Sequence, residues 1–89
     1  MNATELKQVE MMKKILTEKG EPARNAAEAQ VKKLEKTLAT LRKQVQENIE
    51  DFFNVPESHK AQVAQEIKSA TSQIEKMESQ LQVIVEALK

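Results

Sequence analysis

The side chains that could do chemistry are few, and their spacing limits what that chemistry could be. His59 is the only histidine, two residues after Glu57, in a chain with no cysteine. An imidazole titrates near neutral pH or ligates metals, but a metal centre needs three or four ligands, and no second His or any Cys stands ready to join this one. His59 therefore reads as an exposed residue in the first turn of a helix. Four carboxylates, Glu47, Glu50, Asp51 and Glu57, gather just before it. They could dock a basic partner, although a charge run of this kind is more simply a solvated surface.

Lys32, Lys33, Lys36, Arg42 and Lys43 form a basic strip interleaved with Glu28 and Glu35. Glu28 and Lys32 make a favourable i,i+4 pair, and no aromatic residue lies within the strip to stack on a base. A solvated helix face is the better reading. With one glycine, one histidine and no cysteine, phosphate-cradling loops and most nucleophile–base pairs are ruled out. A slender bundle is also expected to lack the concave pocket that small-molecule chemistry requires. The sequence thus points to no enzyme, no cofactor, no metal and no small-molecule substrate.

The elements that position these residues follow from composition. Among 89 residues, one Gly and two Pro leave almost no punctuation for a β fold, so the chain reads as all-α and as a single domain over 1–89. The only aromatics are Phe52 and Phe53, so Leu, Ile, Val, Met and Ala must build the core, as in coiled coils and helical bundles. Fourteen basic and fourteen acidic residues balance to a formal net charge of zero, which argues against nucleic acid as a partner. No apolar run approaches the roughly 20 residues of a membrane span, and no signal-peptide pattern opens the chain. A soluble, cytoplasmic protein with no membrane partner is the expectation.

Three helices are predicted. Helix 1 covers about 3–19, opened by a capping box of Asn2 and Glu5; Leu6, Val9, Met12, Ile15 and Leu16 share one face and Met11 lies off it. Gly20 and Pro22 suit a helix end and a helix start. Helix 2 covers about 22–53, with Ala27, Val31, Leu34, Leu38, Leu41 and Val45 at 4-3-4-3-4 spacing. Asn48 takes the next heptad position, and Ile49, Phe52 and Phe53 continue the stripe one residue out of phase. A polar residue on a seam sets register or oligomer state; alternatively the phase shift rotates Asn48 to the edge.

Helix 3 covers about 57–88 and carries an unbroken seam of Val63, Ile67, Ala70, Ile74, Met77, Leu81, Ile84 and Leu88. Short breaks between helices favour an antiparallel three-helix bundle, a short helix 1 packed on a long helix 2–helix 3 coiled-coil hairpin. Because Leu16, Gly20, Ala23, Ala27 and Val31 keep one phase, helices 1 and 2 could instead run on as one bent helix. At about 25 Å against 45–48 Å, helix 1 is too short to cover the hairpin. Its far end should then leave Leu41, Val45, Ile49, Phe52, Phe53, Val63 and Ile67 as an interface for self-association, a homodimer, or a helical protein partner.

In size and helix count this outline resembles the small helical cofactors of chaperone systems, such as BAG domains and tubulin-binding cofactor A. BAG domains use basic residues early in their last helix, where this chain has Lys60 and Lys68, and no functional residue is carried across. The function expected is that of an oligomerisation module or adaptor binding other helices. A designed or scaffold bundle without evolved activity is the alternative, and weak nucleic-acid binding through the helix 2 lysines is a third reading.

Overall fold

A computed structural model describes residues 1–89 as three helices and no strand: α1 (Ala3–Lys19), α2 (Glu21–Phe52) and α3 (Glu57–Leu88). The capping box forms. Glu5 N–H donates to Asn2 Oδ1 at 2.8 Å, and Asn2 N–H donates to Glu5 Oε1 at 3.1 Å, so two donors with no intrahelical partner are satisfied reciprocally. Glu5 has a second task. Its Oε2 accepts a hydrogen bond from the Ser79 hydroxyl at 2.6 Å, tying the start of α1 to α3.

Gly20 ends α1 and adjoins α2. Its φ of 73° and ψ of −151° lie in a region essentially restricted to glycine, while its N–H still donates to the Leu16 carbonyl at 3.0 Å. α2 starts at Glu21, one residue before Pro22, whose missing N–H costs nothing in a first turn. Met11, Met12 and Ile15 of α1 line one cleft with Gln30 and Leu34 of α2. α1 and α2 are therefore two helices side by side, and a single bent helix is excluded. The second break is as economical. Asn54 and Val55 N–H groups both donate to the Asp51 carbonyl, and α3 opens on Pro56. Phe53 caps α2 rather than belonging to it.

Packing is markedly uneven along the long axis. The buried residues are Val9, Leu16, Leu34, Leu38, Ile74, Val83, Ile84 and Ala87, with Leu38 the deepest at 1% exposed. No residue between Leu38 and Ile74 is buried. The expectation that α1 covers only part of the hairpin is met in these terms: Glu5 reaches Ser79, and Val9 and Leu16 cluster with Val83 and Ala87. Beyond that region α2 and α3 have only each other.

Two seam assignments need correction. Leu6 and Ile15, placed on the core face of helix 1, are exposed. On α3 the deepest positions include Val83 and Ala87, which lie outside the 4-3 seam. Both differences have one cause, the seat of α1. It leans on α3 along a second stripe, Ser79–Val83–Ala87, and stands off from α2. The Cα extents, 56 × 25 × 14 Å, are those of an elongated body broader in one short direction than in the other. The radius of gyration, 17.3 Å, exceeds the roughly 12 Å of a compact chain of this length.

Candidate helix-docking surface

At the open end of the hairpin, Leu41 and Val45 of α2 and Val63 and Ile67 of α3 are half-buried. Each retains a flank that nothing in the chain covers. Ile49 is 44% and Phe53 73% exposed. With Phe52, Ala64 and Ile67 they line an apolar groove of about 220 Å³ on one side of the hairpin. The seven residues named for this surface fall at one end of the molecule, and Ile49, Phe52, Phe53 and Ile67 meet in the groove itself.

The two phenyl rings divide the work. They meet edge to face, centroids 5.7 Å apart. Phe52 turns inward, and Lys60 Nζ lies 5.5 Å from its centroid while pairing with Glu57 at 3.2 Å. A cation over a ring at a partly exposed site contributes about 0.5–1 kcal/mol. Phe53 faces solvent. A phenyl that exposed gains from any apolar cover. Asn48 is half-buried on the flank of this surface, between the two positions weighed for it.

The acids and His59 do not converge. His59, Glu47, Glu50, Asp51 and Glu57 are all exposed, and no group of three or more His, Asp or Glu side chains is placed to hold a metal ion. Asp51 and Glu50 carbonyls instead serve the turn, Glu50 accepting from Asn54 Nδ2 at 3.3 Å. In the basic strip Arg42 reaches Glu78 at 3.7 Å, both side chains about half exposed, a contact of little energetic weight.

No protein-family model, curated protein or solved structure matches the chain. The surface must speak for itself. No helix is long and apolar enough to cross a membrane.

A second apolar surface escaped the sequence reading, and it corrects the expectation that the bundle lacks a concave pocket. Because α1 stands off from α2, Met11, Met12, Ile15, Leu34, Val83 and Ile84 line an open cleft of about 340 Å³, rimmed by Gln8, Gln30 and Gln80. It offers apolar walls and carboxamide edges, and no ionisable or nucleophilic group. The sequence signal was Met11 itself, the apolar residue off the helix 1 face, which with Ile15 forms a second stripe beside the buried one.

Proposed function

We propose that the chain is a non-enzymatic interaction module, an antiparallel three-helix bundle that binds other helices through the open end of its hairpin. The architecture is supported by contact pairs. Arg24 donates to the Leu88 carbonyl, Arg42 meets Glu78 and Ile49 shares a groove with Ile67, so residue numbers fall along α3 as they rise along α2. Glu5 with Ser79 and Leu16 with Ala87 rise together along α1 and α3.

One observation carries the functional reading: the apolar seam runs the whole hairpin, but no residue between Leu38 and Ile74, the stretch that forms its open end, is buried. A coiled-coil seam left half-covered gains about 25 cal/mol for each Å² of apolar surface a partner removes from water. A helix laid in the groove, with its own apolar residues at heptad spacing, presents the matching shape. The exposed groups there include neither a catalytic constellation nor a phosphate-binding strip, and the net charge is zero.

The test is titration with a fluorescent synthetic amphipathic helix carrying leucine at heptad spacing. Ile49→Asp and Phe53→Asp should each weaken binding at least about tenfold, since a charge buried without a partner costs several kcal/mol. Ala29→Asp, on an exposed face of α2 at the covered end, should not. Equal binding by all four proteins, or none by the parent, overturns the reading.

A further inference from the structure

The chain has no cysteine, tryptophan or tyrosine, and it has four methionines. A mild oxidant therefore finds a thioether as its first target. The four differ in where they sit. Met1 precedes the cap residue Asn2 and is 45% exposed. Met77 is half-buried and lines none of the surface clefts. Met11 and Met12 are adjacent on α1, and both line the open cleft that α1 forms with Leu34, Val83 and Ile84.

The pair divides between the mouth of that cleft and its wall. Met11 is 65% exposed, and Gln8, Gln30 and Gln80 stand on the same rim. Solvent or a carboxamide NH2 can donate to a sulfoxide oxygen at that place, so Met11 can be oxidised with α1 in its seat. Met12 is half-buried and packs against Val9, Leu16, Val83 and Ala87, the cluster that seats α1 on α3. A sulfoxide there sets a strong acceptor among apolar groups, which is unfavourable without a donor. The seat has little else to resist the change. Val9 and Leu16 are the only buried residues of α1, and Leu6 and Ile15 are exposed. Because the cleft is open, an oxidant as small as a hydroperoxide reaches the Met12 sulfur without prior unfolding.

We propose that Met12 is an oxidation switch: a hydroperoxide converts it to methionine sulfoxide, and the modified side chain loosens α1 from the hairpin. With hydrogen peroxide, the sulfur lone pair attacks one oxygen, forming the S–O bond as the O–O bond breaks. The departing hydroxide takes the proton of the transferred hydroxyl and leaves as water. Sulfur is oxidised by two electrons and the peroxide is reduced by two. A thiol-dependent sulfoxide reductase reverses the change, releasing the oxygen as water while two thiols become a disulfide. Loosening α1 uncovers Val83 and Ala87, so the modification enlarges the apolar face that the hairpin shows to solvent.

The test treats the full chain with hydrogen peroxide, locates sulfoxides by peptide mass spectrometry and follows amide exchange by NMR. Met11 should be oxidised before Met12, and Met77 last. Conversion at Met12 should speed exchange of the α1 amides about tenfold or more, and a sulfoxide reductase with thiol should restore the original rates. Met11→Leu should keep the response, and Met12→Leu, a swap close to volume-conserving, should lose it. Met12→Gln places a polar group at the same point without an oxidant and should loosen α1 in the same way, whereas Met11→Gln should not.

Unchanged α1 exchange with Met12 fully converted overturns the switch, as does fast exchange once Met11 alone is oxidised. A Met12→Gln protein as well protected as the parent overturns it too, as does a Met12 that stays reduced while Met77 reacts. Exchange of the oxidised parent decides the matter by itself where a leucine variant folds poorly.

Discussion

Glu5 joins two interactions that are usually separate, a helix cap and a bond between helices. One carboxylate oxygen accepts from the Asn2 backbone and the other from the Ser79 hydroxyl. The Ser79 bond first, then the Asn2 bond, holds its carboxyl below the ordinary glutamate value. A carboxylate that binds its proton less readily in the folded chain than in the unfolded one lends stability above its ordinary value, and that contribution disappears as pH falls through the folded value. Glu86 is lowered likewise, chiefly by its hydrogen bond from Lys89. The urea midpoint should therefore fall on acidification from about pH 6 to about pH 3, and Glu5→Gln should make that fall shallower. An unchanged pH profile in the variant would mean the Ser79 bond does not hold α1 down.

At the scale of elements, helix ends were legible in the sequence and helix seats were not. Asn2 with Glu5, and Gly20 with Pro22, act through atoms a few residues away, so their types and spacing suffice to place a cap and a break. The 4-3 spacing of α3 likewise marks the face that meets a long partner. It does not reveal that a third helix lies beside that face, because the depth of a residue depends on where α1 comes to rest. Val83 and Ala87 sit one step off the seam, and with Ser79 they form an i, i+4, i+8 stripe of short side chains that admits α1 closely. That stripe could have been found by noting how the apolar arc of α3 widens between Val83 and Leu88. Leu6 and Ile15 were misplaced for the same reason, since α1 turns another face to α3. The positions of Ile49, Phe53 and Ile67 at an open end were legible, because helix lengths alone expose that end. The cleft around Met11 was not, being a gap between helices rather than a pattern within one. Val83→Ala should cost about 2 kcal/mol in urea unfolding and Leu6→Ala less than about 0.5. The reverse order would place the seam, not the stripe, against α1.

Across the whole molecule, stability should be graded rather than uniform. Amides of α1, of α2 up to Leu38 and of α3 from Ile74 onward surround every buried side chain, so their slowest exchange should approach that of global unfolding. Amides of residues 41–52 and 58–72 should exchange through smaller openings. Hydrogen exchange read by NMR checks this directly. Uniform protection in a dilute sample would indicate that the hairpin end is held by something other than burial.

The absence of any buried residue between Leu38 and Ile74 also makes the hairpin end adjustable in length. Seven residues added to each arm, at matching levels, preserve every side-chain phase and leave the three-helix core untouched. They move the tip outward by about 10 Å. Such an arm behaves as a ruler graduated in heptads, its apolar tip carried nearer or farther while the base that anchors it stays the same.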